Sequence, residues 1–441
     1  MTALERNTAP PLKKIERIEF LRAEKKVLKN GIPVYLINAG NEEVLRIEMV
    51  FVSGNSAGEN GNQTYPEKNP LLASTVNHLI SEGTSRHSSS EIAESFDFFG
   101  SFIQTDCDKD TASVSLFTLN KYVKNTLPLL EEIIKDAIFP EKEITTYLAN
   151  TRQKFIVDSE KVHVISRRKF NEVIFGKEHP YGNNVELKDF ENIKRGDLID
   201  FFKNFYSPHN CKIILSGKIN EGVFDLLENH FGNWDGVETR HALSLRPPNL
   251  IKPDEKKIHF VERKNQVQTA IRIGRPLFSK KHPDYPAMKV LNVVLGGYFG
   301  SRLMTNIREE KGYTYGVGSA VFPLKQAGCF FISTEVGSEV TREALKEIYF
   351  EIARLREEEV SEEELQKVRN YMLGEIIRSI DGPFALAERL KGLLIFGLDY
   401  DNFDQLVETI KNTSPKRIME LAQKYLKQED LFEIVVGSMG K

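Results

Sequence analysis

Metal and nucleophile chemistry needs histidines, carboxylates or thiols spaced so that they can converge, and this chain offers few. His78 with Glu82 four residues on shares one face of a helix and is the one pair at ligand spacing; its plainer reading is a helix-surface or partly packed histidine. The other eight histidines (His87, His163, His179, His209, His230, His241, His259, His282) are scattered over loops and element ends. No window of the first half reads H-x-x-E-H in either direction, so two imidazoles flanking a general base are not available there. Cys107, Cys211 and Cys329 are odd in number and far apart, which excludes a disulfide framework or a C-x-x-C ribbon; each reads as a small apolar core residue. The run Gly296, Gly297, Gly300 lacks the strand and Gly-Lys-Ser/Thr context of a phosphate loop.

The elements that would position these residues belong to a globular chain of two domains. Its 441 residues exceed what one hydrophobic core supports, and 60 basic against 63 acidic side chains give a net charge of -3. No block of one sign argues for nucleic acid or an anionic membrane surface. The N-terminal stretch MTALERNTAPPLKKIERIEF carries charges throughout and has no apolar run of signal or membrane-span length, which points to a cytoplasmic protein.

Read in order, an extended arm around Ala9-Pro10-Pro11 precedes a hairpin turning at Asn30-Gly31 and a strand from Val44 to Val52. A polar loop, Gly54 to Asn69, leads to a helix expected from Pro70 to Gly83, which carries His78. Ser caps predict a second helix over residues 88–100. Two strands and two long amphipathic helices, Tyr122 to Ala137 and Glu141 to Asp158, complete the pattern.

The plan then repeats. FPEKEITTYLANTRQKFI from Phe139 is echoed by VSEEELQKVRNYMLGEII from Val360, and CKIILSG from Cys211 is echoed at the same displacement by FEIVVGS from Phe432. Two windows at one offset indicate a duplicated α+β unit: two tandem homologous α/β-sandwich domains, each a mostly antiparallel sheet with helices on one face. Between them lies the proline-bearing polar stretch ETRHALSLRPPNLIKPDEKK, which sets the domains at residues 1–239 and 240–441.

With that duplication the chain resembles the pitrilysin/insulinase metallopeptidases, in the short two-domain branch related to mitochondrial processing peptidase, over roughly residues 20–440. The family carries H-x-x-E-H on an early helix. Aligned on Gly83-Thr84, its five positions fall at Ser74, Thr75, Val76, Asn77 and His78, so only the last matches. The third zinc ligand of the family, a glutamate on a later helix, would fall between Ile144 and Asp158, where there is none. A catalytic zinc takes three protein ligands, so the resemblance implies that this chain binds no metal and is inactive alone.

GGYFGSRLMTNIREEKGYTYGVGS (Gly296 to Ser319), by contrast, resembles the family's substrate-binding signature closely. The resemblance makes Arg308 and Tyr315, seven residues apart, the pair that faces the zinc across the cleft. A guanidinium and a phenol can donate hydrogen bonds to a peptide carbonyl and to the oxyanion that develops on it. The competing readings are an ion pair of Arg308 with Glu309 or Glu310 and an ordinary strand aromatic at Tyr315. Gly296, Gly297 and Gly300 sit where non-zinc subunits of the branch carry a glycine-rich substrate loop, or form a plain helix-to-helix turn.

The resemblance thus implies a non-catalytic subunit that supplies Arg308 and Tyr315 in trans to a homologous zinc-bearing subunit, with a peptide held as an added strand. A structural or peptide-holding subunit without a zinc partner is the alternative, and self-association into a homodimer is open.

Overall fold

In the computed structural model, residues 18–52, 69–235, 251, 253–264 and 266–438 are described. The N-terminal arm, most of the Gly54 to Asn69 loop and the boundary at residue 240 lie outside them. The first half runs β1 (Glu24–Val27), β2 (Pro33–Asn38), β3 (Val44–Phe51), α1 (Leu72–Leu79), α2 (Ser89–Phe98), β4 (Phe102–Cys107) and β5 (Ala112–Leu119). It continues through α3 (Val123–Asp136), α4 (Glu141–Ser159), α5 (Val162–Phe175), α6 (Leu187–Glu191), α7 (Arg195–Phe205), β6 (Cys211–Gly217) and α8 (Val223–Phe231). The second half has β7 (Ile258–Glu262), β8 (Gln268–Leu277), α9 (Tyr285–Gly296), a π-helical segment Met304–Glu310, β9 (Val317–Pro323) and β10 (Gly328–Gly337). It ends with α10 (Thr341–Glu357), α11 (Glu362–Arg378), α12 (Pro383–Leu394), α13 (Tyr400–Asn412), α14 (Pro415–Tyr425) and β11 (Phe432–Gly437).

The repeat seen in the sequence is the repeat of the sheets. The first has the order β1-β2-β6-β3-β5-β4 and the second β7-β11-β8-β10-β9, so each strand of the second has its counterpart in the first. In both, the parallel neighbours are the late strand and the strand beside it (β2 with β6, β7 with β11), and the remaining pairs are antiparallel. The helices α4 and α11 begin at Glu141 and Glu362, in register with the displacement of the repeated sequence windows.

Local signals set several boundaries. Ser88 and Glu91 close a reciprocal capping box that starts α2, satisfying two amide donors that a helix N-terminus leaves free. Asp399 and Asn402 do the same for α13. The helix expected to reach Gly83 ends instead at Leu79, because Gly83 bridges Ser88 and Thr84 bridges Ala137, drawing the chain out of helical geometry. Gly83 takes φ +150, and a Cβ there would lie 2.8 Å from Pro140.

Each sheet packs one face on helices of its own half, as the apolar periodicity implies. The other face is not left open, and what covers it is a helix from the opposite half. Helix α5 of the first half lies on the second sheet, where Phe170, Val173 and Ile174 meet Ala270, Phe432 and Ile434. Helix α12 of the second half lies on the first sheet, where Leu386, Ala387 and Leu390 meet Ile37, Val50 and Ile214. Burying each large aliphatic or aromatic side chain is worth about 1.5–3 kcal/mol, so this reciprocal exchange makes the two halves mutually dependent. A polar tie reinforces it: the Tyr181 phenol donates to Asp110 at 2.6 Å, and the other Asp110 oxygen accepts the Lys325 backbone amide at 2.9 Å. The turn His179-Pro180-Tyr181-Gly182 thus carries a tyrosine that joins the halves.

Cys211 and Cys329 are buried, and burial pushes both thiols up, Cys329 to about 12. Burial, with Asp108 and Asp106 close by, likewise raises Cys107 to about 12. None is poised as a thiolate nucleophile. Among the described residues no helix is long and apolar enough to cross a membrane.

Candidate functional site

The positions where the family holds zinc are occupied by groups with other employment. Ser74 donates its hydroxyl back to the Leu71 carbonyl at 3.0 Å. Asn77 is buried, and its side-chain oxygen accepts the Tyr206 phenol at 2.8 Å. The exposed His78 ring stacks on Tyr147 of α4, with centroids 4.4 Å apart and planes inclined by 23°. Tyr147 lies in the helix where the resemblance looks for the third ligand. Glu82 accepts the Ser89 hydroxyl at 2.5 Å. An amide committed to a phenol, a hydroxyl committed to the backbone and one imidazole do not make the three-ligand set that zinc needs, so the residues present do not fit the metal. Among the described residues no three His, Cys, Asp or Glu side chains cluster as a metal site would require. The purified chain is therefore expected to hold well under one zinc per molecule by elemental analysis, and Ser74→His with Asn77→Glu is expected not to raise that to one, since residues 144–158 of α4 still hold no glutamate.

The segment between α9 and β9 is built differently. Asn292 of α9 donates its amide to the Ser319 carbonyl and Ser319 donates its hydroxyl to the Asn292 carbonyl, both at 3.2 Å. Gly296 permits this approach, because a Cβ there would stand 2.7 Å from the Ser319 backbone nitrogen. Gly297 is crowded by its own helix, with Val293 Cα 2.7 Å from the position of a Cβ. Packing thus accounts for these two glycines as turn residues. A Cβ on Gly300 would meet only the Tyr298 ring, at 2.9 Å, which is the movable end of a side chain.

Two clamps hold the following turn. Arg302 forms a bidentate pair with Glu364 of α11, at 2.9 and 3.0 Å. Burial would lower the Arg302 pKa, but Glu364 outweighs it and raises it. Asn306, buried, donates to Glu351 at 2.8 Å and Glu347 at 3.0 Å on α10. Neither residue stands out in the sequence, because their partners lie 41 to 62 positions away. The clamped stretch is π-helical, an uncommon geometry that recurs at functional sites.

From this rigid base Arg308 and Tyr315 are presented with few ties to the rest of the fold. Among the described residues no carboxylate pairs with Arg308, neither Glu309 nor Glu310; its guanidinium lies over the Phe299 ring at 4.7 Å. Tyr315 is 93 % exposed and precedes β9 rather than standing in it. Its neighbour Thr314 is anchored, donating to the Glu335 carbonyl at 2.6 Å. Strand β9 then runs along the edge of the second sheet, paired only with β10. Two donors on a fixed turn beside an unpaired strand edge are the parts needed to hold an extended peptide and polarise one of its carbonyls.

A twice-repeated, mostly antiparallel α+β sandwich without a metal site among the described residues is the class that this fold and site define. Comparison with known proteins agrees. The family described as "Peptidase M16 inactive domain" matches residues 192–372, a stretch that includes Arg308 and Tyr315. "Uncharacterized zinc protease YmxG" of Bacillus subtilis is 22% identical over 414 residues, covering 93% of this chain and 97% of its own. The beta subunit of mitochondrial-processing peptidase from Saccharomyces cerevisiae is 21% identical over 426 residues, covering 91% and 86%. The crystal structure of a peptidase M16 inactive domain from Pseudomonas fluorescens superposes with a TM-score of 0.83 at 20% identity, covering 95% of this chain and 98% of that one. Over residues 192–372 the chain thus matches the inactive domain of peptidase M16, and over nearly its whole length it is similar to zinc protease homologues.

Proposed function

We propose that this chain is the zinc-less subunit of a two-chain cytoplasmic M16 endopeptidase and presents Arg308 and Tyr315 to peptide bound at the zinc centre of a homologous partner. The observation that carries the reading is that the tyrosine is exposed and the arginine has no carboxylate partner among the described residues and only a ring contact with Phe299, while the turn that bears them is clamped by Arg302 and Asn306. A buried or ion-paired arginine would be a structural residue. A free one on a rigid turn costs desolvation and order that only a second molecule repays. In the complex Arg308 donates to the carbonyl oxygen as negative charge grows on it, Tyr315 adds a second donor, and the partner contributes metal and base.

Co-expression with an H-x-x-E-H-bearing M16 chain of the same genome tests this. The expected result is a complex containing both chains and cleavage of an unstructured fluorogenic peptide that requires both. A zinc-bearing chain that is equally active alone and does not co-purify would leave this subunit a structural protein and overturn the proposal.

A further inference from the structure

A cavity of about 540 Å³ opens between the halves, where the first sheet, the end of α12 and the β9–β10 turn meet. Its lining carries four lysines, Lys212, Lys281, Lys325 and Lys391, and no aspartate or glutamate. In a chain with a net charge of -3, such a concentration of one sign is not a result of composition. Lys391 is balanced, by Glu48 at 2.9 Å and Glu388 at 2.8 Å. Lys212, Lys281 and Lys325 have no ion-pair partner among the described residues. Burial lowers the Lys325 pKa, and Lys212 and Lys281 lower it further against the raising effect of Asp110, so these ammonium groups repel one another. Just beyond the rim, burial and the neighbouring Lys289 and Arg389 bring Lys280 down to about 8. Unpaired like charges held in a partly enclosed space are a standing cost to the fold, and an anion would relieve it.

Most of the remaining wall is apolar, with Val50, Ile214, Leu394, Ile395 and Phe396, while Thr111 and Gln326 are its polar members. A bare inorganic anion would leave that wall unmatched, and a concave site of this size lies in the range that small molecules fill. A nucleic-acid backbone or a membrane surface needs a broad open face, not a half-open cleft of this size.

We infer that this cavity binds a small amphipathic anion, with an acidic head between Lys212, Lys281 and Lys325 and a short apolar body against Ile214, Leu394 and Phe396. The site is separate from the Arg308 and Tyr315 turn and stands or falls without the peptidase proposal. A ligand there touches both halves and the end of the exchanged helix α12, and it would stabilise their union by mass action.

Calorimetric titration of the full chain with sodium octanoate tests the inference, with octanol and inorganic phosphate as controls. Octanoate is expected to bind saturably at one site with a dissociation constant below about 1 mM. Octanol and phosphate are each expected to be roughly tenfold weaker or worse, since each supplies half of the match. The variant Lys212→Gln/Lys281→Gln/Lys325→Gln is expected to lose about tenfold in octanoate affinity with an unchanged circular dichroism spectrum. Should the triple variant not fold, Lys281→Gln alone, at an exposed position, is expected to weaken octanoate by a few fold. Octanol binding as tightly would remove the charge role, phosphate binding as tightly would remove the apolar role, and non-saturable uptake or unaltered affinity in the variants would place binding elsewhere. Each of these outcomes overturns the inference.

Discussion

Reconstituted with a zinc-bearing partner, the Arg308→Ala chain is expected to lower kcat for peptide cleavage by about 100-fold or more, the scale seen when one oxyanion donor is removed. The effect should appear in kcat more than in KM, because the charge that the guanidinium answers exists fully only in the transition state. Tyr315→Phe keeps the ring and removes one donor, and a loss of roughly 10- to 100-fold is expected. Arg308→Lys retains the charge without the planar fork and should recover only part of the rate. None of the three substitutions should move the melting temperature by more than about a degree or two, since Tyr315 is 93 % exposed and Arg308 has only its contact with Phe299 to lose and no ion-pair partner among the described residues. A drop in stability with an unchanged rate would make both residues packing groups.

The second large effect concerns the exchanged helix. Glu48 on β3 is 1 % exposed and is held between Arg46 at 2.6 Å and Lys391 of α12 at 2.9 Å, while Glu388 of α12 meets both cations. Burial by itself would lower the Lys391 pKa, but Glu48 and Glu388 outweigh it and raise it, so the ammonium stays charged. Lys391→Met leaves Glu48 with one cation in a buried site, and breaking such a pair costs about 3 kcal/mol. Urea unfolding should show this as a lower midpoint with an unchanged slope. Adding Glu48→Leu to Lys391→Met should recover part of the loss, because a well-packed apolar pair can replace a buried ion pair. If Lys391→Met costs nothing, the square of charges contributes nothing to docking and α12 is held by Leu386, Ala387 and Leu390 alone.

Much of the architecture was legible in the sequence. The displacement shared by the two pairs of echoed windows is the displacement of α4 to α11 and of β6 to β11, because a duplicated unit repeats its apolar pattern wherever it repeats its core. Ser88 and Glu91 announced the start of α2, since a capping box is local chemistry within one helical turn. Ser74, Asn77 and His78 likewise could be compared with the family's metal motif in the sequence alone, as ligand identity is written one residue at a time.

Other features depend on residues that only folding brings together. Apolar periodicity tells which face of a sheet or helix is buried and not what lies on it, so nothing in the sequence showed α5 on the second sheet or α12 on the first. The clamps of Arg302 and Asn306 and the stack of His78 on Tyr147 each join side chains from separate elements that lie far apart along the chain. The cavity lysines are more scattered still, at 212, 281, 325 and 391, among nearly equal numbers of acids in sequence, and in space only Lys391 of the four is ion-paired among the described residues. The sequence by itself determined the repeated fold and singled out Ser74, Asn77, His78, Arg308 and Tyr315, because each is a matter of residue type and local spacing. Which donors are left free, which charges are paired and which helix covers which sheet were decided by tertiary packing, because proximity between distant residues is set only when the two halves close on each other.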